Sequence, residues 1–195
     1  MLKILKKFKN KNVIVTGHTG FKGSWLSLWL HLSGANVMGL SNKILTKPSH
    51  FTSLKLGKKI ISKKVNICDV KKTKKIFLEF KPDFVFHLAA QALVKESYLN
   101  PIETFKSNIF GTLSVLESLR VLKNKCSAVL ITSDKSYKNL EIKRGYKEND
   151  LLGGIDPYSS SKASAELLIQ TYINSFLDSK KNISLAVARA GNVIG

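Results

Sequence analysis

The sequence predicts an α/β protein built on a doubly wound parallel sheet with helices on both faces. Three observations over its 195 residues carry that prediction. Short β-branched runs alternate with stretches of helical apolar spacing. The first run ends in a glycine-rich loop that opens a helix. Each pair of successive strands is separated by enough chain for the right-handed crossover that parallel neighbours require.

Asn12–Thr16 (NVIVT) is the first strand, a short buried-type run closed by a glycine. From Phe21, the residues Trp25, Leu28, Trp29 and Leu32 fall at helical spacing, which puts both tryptophans in the core, and Gly34 ends the helix. Asn36–Leu40 is the second strand, residues 46–57 with Pro48 a loop, and Lys63–Ile67 the third strand. Val70–Phe80 is a helix that Lys81-Pro82 stops. Asp83–Ala90 is the fourth strand, and Pro101–Leu122 a long helix with proline suited to its first turn. Ser127–Ser133 is the fifth strand, Gly145–Asp156 a glycine-rich loop, Pro157–Leu177 a helix and Ser184–Ala190 the sixth strand. The sequence stops just beyond that strand, with no closing helix.

Composition narrows the function classes. The hydrophobic fraction of 44% and charged fraction of 23% are those of a globular domain. Cys68 and Cys126 lie far apart, so neither a disulfide framework nor a metal site is expected. No apolar run approaches the ~20 residues of a membrane span. The basic start, MLKILKKFKNKN, lacks the apolar stretch of a signal peptide, and a cytoplasmic protein is expected. The formal charge of +19 invites a nucleic-acid or membrane partner. Its make-up argues against both, because 29 of the 32 basic residues are lysine, whereas phosphate and base readers lean on arginine. Lysine-rich surface decoration, concentrated in the first half of the chain, is the better reading.

Gly17-His18-Thr19-Gly20-Phe21-Lys22-Gly23 joins the first strand to the first helix. Gly17 suits the tight turn, Gly20 the close approach of backbone to a pyrophosphate, and Gly23 close packing of helix on sheet, with phosphate at the helix N-terminus. An acidic residue normally follows the second strand to hold an adenosine ribose. Here Ser41 or Asn42 would take that place, and Lys43 keeps NADP open beside NAD. After the third strand come Asn66 and Asp69; Asp69 can meet an adenine amino group and cap the next helix at once.

Tyr158 and Lys162 stand one helical turn apart, on one face. A nearby ammonium stabilises phenolate, so this tyrosine can take a hydroxyl proton as hydride leaves for a nicotinamide. Ser133, Asp134 and Lys135 follow at the carboxyl end of the fifth strand, where parallel sheets place their chemistry. Ser133 can share the substrate hydroxyl, while Asp134 and Lys135 offer an acid and a base. His87, at a strand end, is read as a core histidine and Arg189 as structural.

The glycine loop, His87-Leu88-Ala89-Ala90-Gln91, Asn108 and the Tyr158/Lys162 pair resemble the extended short-chain dehydrogenase/reductase superfamily. Within it, the stretches 16–30, 86–91, 132–135, 156–159 and 189–195 are similar to those of the CDP-glucose 4,6-dehydratases. Lys135 is the most specific pointer, since related dTDP-glucose and GDP-mannose dehydratases carry glutamate there. The resemblance implies a Rossmann-like NAD(P)-binding domain over residues 1–195, ending before a C-terminal nucleotide-sugar region. It implies cofactor contacts from Gly17, Thr19, Gly20, Phe21, Lys22, Ser41, Asn66, Ile67, Asp69, Leu88, Ala89, Ala90, Asn108, Tyr158 and Lys162. Gln91 and Asn192 would contact the nucleotide sugar. The implied activity is dehydration of CDP-glucose to its 4-keto-6-deoxy product by an internal redox cycle with NAD, in a homodimer or tetramer. Other epimerases and dehydratases of the superfamily, or a dinucleotide-binding fragment without activity, are the alternatives. In the dehydratase scheme Lys135 must lose its proton part of the time, which burial would favour.

Overall fold

A computed structural model describes residues 6–194, so the first five residues and Gly195, the last residue of the final motif, lie outside it. Six parallel strands form one sheet: β1 (Asn12–Thr16), β2 (Asn36–Ser41), β3 (Ile61–Lys64), β4 (Phe84–His87), β5 (Cys126–Ser133) and β6 (Ile183–Ala190). Their order across the sheet is β3-β2-β1-β4-β5-β6, all neighbours parallel. The strand order reverses between β1 and β4, the crevice where such sheets bind ligands.

The helices are α1 (Phe21–Leu32), α2 (His50–Ser53), α3 (Val70–Phe80), α4 (Val94–Leu99), α5 (Pro101–Phe105), α6 (Gly111–Val121) and α7 (Pro157–Tyr172). A π-helical turn, Lys106–Phe110, joins α5 to α6 into the long run expected from sequence, and a second, Ile173–Leu177, extends α7. Local chemistry sets the ends. Asp69 accepts from Lys72 N–H at the start of α3, and Asp156 from Tyr158 and Ser159 N–H at the start of α7. Pro101 and Pro157 open their helices, and Lys81 ends α3 at a φ of 48°.

In β1, Val13, Ile14 and Val15 are all fully buried, as a central strand covered on both faces requires. Ile14 joins Val85, Leu116, Leu119, Leu130 and Ile169 under α3, α6 and α7. Val13 and Val15 join Leu30 and Val37 under α1, with Phe8, Phe84 and Phe86 alongside. Burying a leucine or valine of this kind stabilises the fold by about 1.5–3 kcal/mol.

Several expectations change. Residues 46–57, expected as a loop, hold the short helix α2, which the Ser49 side chain caps, and β3 begins at Ile61 rather than Lys63. β3 ends at Lys64 rather than Ile67, because Val65 N–H makes its bond to Ser41, the last residue of β2, and the chain then turns on Asn66. β4 ends at His87 rather than Ala90, because the Leu88 and Ala89 N–H groups bend to Thr16 Oγ1, each at 3.1 Å. Trp25 and Trp29 are not in the core: they are 37% and 49% exposed, and the buried residues of α1 are Gly23, Ser24, Ser27 and Leu30. Small side chains let this helix lie close to the sheet and turn the large rings outward, where Trp25 meets His50 at 4.3 Å between centroids.

Candidate active site

The glycine loop runs from β1 over the end of the sheet. Gly17 adopts a φ of +73°, and a Cβ there would lie 2.8 Å from Ala89 N, so both conformation and space demand glycine. At Gly23 a Cβ would collide with the Gly17 carbonyl. The N-terminus of α1 has no side-chain cap and no acidic residue in its first turn, and Lys22 is half-buried beside it. An uncapped helix end, backbone that admits no side chain and a lysine suit the donor requirements of a pyrophosphate.

Around this loop, Thr19 Oγ1 and Ser41 Oγ are hydrogen bonded at 2.7 Å, and Thr19 donates to the Lys43 carbonyl at 2.8 Å. The Lys43 side chain is exposed. Asn66 accepts from Cys68 N–H at 3.0 Å, Ile67 is buried and Asp69 caps α3. Leu88, Ala89 and Ala90 are half-buried and carry the chain past Gly17 toward Gln91.

Asn108, in the π turn, is buried and fully engaged. Its Oδ1 accepts from Gln91 N–H at 2.8 Å, and its Nδ2 donates to the Gln91 carbonyl at 3.0 Å and to Ser161 Oγ at 2.8 Å. It thereby ties the segment after β4 to helix α7. The Gln91 side chain is held by Thr104 and Leu93. π turns recur at functional sites because the extra residue redirects a side chain.

Beyond β5, Ser133 is buried; its hydroxyl donates to Asp134 Oδ1 at 3.1 Å and accepts from Lys135 N–H at 3.2 Å. Asp134 and Lys135 are exposed on a 3-10 turn, Asp134–Ser136, so the expected burial of Lys135 is not found. The turn packs against α7 through its buried Ser136, while the Asp134 and Lys135 side chains face outward. Tyr158 is half-buried in the first turn of α7. Lys162, one turn on, is 8% exposed, and burial pushes its ammonium down to about 8. The charge of Lys22 adds to that drop and Glu166 opposes it. Burial also lowers the Lys22 ammonium. His87 is a core histidine bonded to Thr16 Oγ1 at 2.7 Å and Thr112 Oγ1 at 3.2 Å; burial, with Lys162 adding, holds it down at about 3. Asn192 is exposed beyond β6, one residue after Gly191, which lies against the Asp134 carboxylate. Among the described residues no cluster of ligating side chains could hold a metal ion, and no helix is long and apolar enough to cross a membrane.

The family model for GDP-mannose 4,6 dehydratase matches residues 14–181. The chain belongs to that family. It is 47% identical over 192 residues to the CDP-glucose 4,6-dehydratase of Salmonella typhimurium, covering 96% of this chain and 54% of the relative. It is 30% identical to the dTDP-D-glucose 4,6-dehydratase of Dictyostelium discoideum, covering 95% of this chain and 44% of that one. Among solved structures, the UDP-glucose 4-epimerase of Thermotoga maritima superposes with a TM-score of 0.81 at 28% identity, over 94% of this chain and 56% of that one. The chain thus spans about half the length of the curated relatives it matches.

In this 4,6-dehydratase-family domain, three contributors went unread in the sequence. Thr16, fully buried, gathers His87 and two backbone N–H groups onto one hydroxyl. Gly39 makes room for the His18 ring, which bonds Ser62 at 2.7 Å. Glu166 is 1% exposed and binds Thr132 and Arg189. The spacing Lys162 to Glu166, one further turn along the same face, was the available signal for the last.

Proposed function

We propose that the chain carries the cofactor-binding and catalytic part of a nucleotide-sugar 4,6-dehydratase that acts on CDP-glucose with NAD. The observation that carries this reading is the meeting of two motifs at the carboxyl end of β5. The Ser133-Asp134-Lys135 turn and the Tyr158/Lys162 helix lie beside the switch point onto which the glycine loop opens. The 47% identity to a CDP-glucose 4,6-dehydratase supports the choice of sugar nucleotide.

In this reading Gly17, Gly20, Lys22 and the start of α1 receive the pyrophosphate, with Thr19, Phe21, Ser41, Asn66, Ile67 and Asp69 around the adenosine half. Leu88, Ala89, Ala90 and Asn108 form the wall toward the nicotinamide. When bound, NAD would supply the hydride acceptor for the sugar C4 and the hydride donor for C6. Tyr158 takes the proton of the 4-hydroxyl, helped by the Lys162 ammonium, which favours phenolate, and by a hydrogen bond from Ser133. The 4-ketone acidifies C5. Lys135 then takes the C5 proton, and Asp134 gives its proton to the leaving 6-hydroxyl, which departs as water. Adjacent acid and base must hold opposite proton states at the start of that step. Gln91 and Asn192 face the nucleotide sugar in this scheme. Two copies pair through the long helical run from Pro101 and through α7, whose outer residues Ile102, Phe110, Leu167 and Phe176 are exposed.

Incubation with NAD and CDP-glucose, UDP-glucose, dTDP-glucose or GDP-mannose in D₂O tests the proposal. A 4-keto-6-deoxy product from CDP-glucose, with deuterium at C5, is expected, and Lys135→Ala should slow it by roughly 10²–10⁴-fold. A C4 epimer without deuterium at C5 would favour an epimerase, and full activity of Lys135→Ala would remove Lys135 as the base. Calorimetry with NAD and NADP checks the cofactor, with NAD expected to bind more tightly despite Lys43.

A further inference from the structure

Behind the two motifs lies a charged junction that no step above uses. Glu166 sits on α7 one turn after Lys162, with its side chain 2% exposed. Its Oε1 accepts from Thr132 Oγ1 at 2.6 Å, and both oxygens accept from Arg189, at 2.6–2.9 Å. Thr132 is the residue before Ser133 on β5, and Arg189 is the penultimate residue of β6. One carboxylate therefore joins the ends of two strands to the helix that carries Tyr158 and Lys162.

The junction extends outward as well. Arg189 Nη1 donates to the Glu148 carbonyl at 3.0 Å, and its guanidinium lies 4.5 Å from the centroid of the Tyr137 ring. Tyr137 stacks on Tyr146 at 4.9 Å. The segment that follows Lys135 is thus seated on the arginine that Glu166 holds.

We infer that Glu166 is a positioning residue for this site: through Thr132 and Arg189 it fixes the Ser133-Asp134-Lys135 turn against the Tyr158/Lys162 helix. The inference rests on the reading of those two motifs as one active site. Four features favour positioning over packing alone. A buried carboxylate is costly to desolvate and can be replaced by an apolar side chain where only volume is needed. All of its bonds go to the two strand ends that flank the turn. The hydroxyl it binds belongs to the residue immediately before Ser133. And it is the acidic group that opposes the lowering of Lys162, which burial causes first and the cationic Lys22 from the start of α1 second; His87 from β4, kept neutral by burial, adds no charge.

Two measurements on the full chain, made without substrate, test it. With ¹³C-labelled lysine, the Cε signal of Lys162, assigned by its loss in Lys162→Met, is followed with pH. Glu166→Gln leaves Arg189 uncompensated, so the Lys162 midpoint should fall by about half a pH unit or more, with Glu166→Asp falling less. Thr132→Val keeps the Glu166 charge and the Arg189 pair but removes the link to β5. It should leave that midpoint in place while amide exchange at Lys135, whose N–H is bonded to Ser133, speeds up by roughly tenfold. A folded Glu166→Gln protein with an unmoved Lys162 midpoint would overturn the inference. So would unchanged exchange at Lys135 in Thr132→Val, which stands even if Glu166→Gln does not fold. Neither measurement depends on which nucleotide sugar is turned over, so failure of the dehydratase reading is seen separately, in the product assay.

Discussion

Lys162 carries a desolvation cost that its proposed role beside Tyr158 would require. Its ammonium is lowered from 10.5 to about 8, first by burial and then by Lys22, so at neutral pH the fold carries a desolvated charge. The unfolded chain holds that proton up to about 10.5, whereas the native state releases it from about 8. Native stability therefore rises with pH between those values. Lys162→Met is expected to stabilise the chain by about 1–3 kcal/mol at pH 7, an advantage that shrinks as pH rises toward 10, while the tyrosine loses its cation. Thermal melts of both proteins at pH 7 and pH 10 check this. The lysine itself was legible because its spacing from Tyr158 has a chemical meaning. Thr16 and Glu166 were not, because a buried threonine or glutamate acquires its role only when distant strands meet it. The tryptophans of α1 misled for a related reason. Size and apolarity suggested the core, but the close approach of helix to sheet selects glycine and serine for the inner face.

At the scale of elements, the order of strands and helices followed from periodicity, and the ends followed where the chemistry is local. Asp69, Lys81, Pro101 and Pro157 mark helix ends within a residue, since caps and prolines act on their immediate neighbours. β3 ended early because its neighbour β2 ends at Ser41, and β4 because the Thr16 hydroxyl takes the next N–H groups; both partners are remote in sequence. The π turn at Lys106–Phe110 was invisible for the same reason: what it achieves is the seating of Asn108 between Gln91 and Ser161. Asn108→Ala should then cost about 2–4 kcal/mol in urea unfolding, because it leaves a part-buried Gln91 N–H and carbonyl without partners. The same variant should weaken NAD binding if the wall from Leu88 to Gln91 is set by this side chain. A loss confined to stability would make Asn108 a structural strut alone.

For the molecule as a whole, the +19 charge and the two buried histidines act on the same property, stability in acid, and can be told apart. His18 and His87 lie on either side of the glycine loop's entry from β1 and are lowered from 6.5 to about 4 and about 3, in each case chiefly by burial. The unfolded chain takes up both protons near pH 6.5, while the native state resists until pH 4 or below. Stability is therefore complete above pH 6.5 and lost as pH falls toward those native values, by a few kcal/mol for the pair. Asp150, lowered by Arg144, acts in the same direction but only below its ordinary value of 3.8. A window from pH 7 to pH 5 thus isolates the histidines from the carboxylates. Self-repulsion among 29 lysines also destabilises the compact state, and it is screened by salt, whereas the cost of protonating a buried imidazole is not. Urea unfolding at pH 7, 6 and 5, in low and in about 0.5 M salt, should show a fall in stability that persists at high salt. The fall should flatten when His18 and His87 are both replaced by asparagine. A slope that vanished in salt would instead assign the acid sensitivity to exposed groups whose added protons the lysine surface repels.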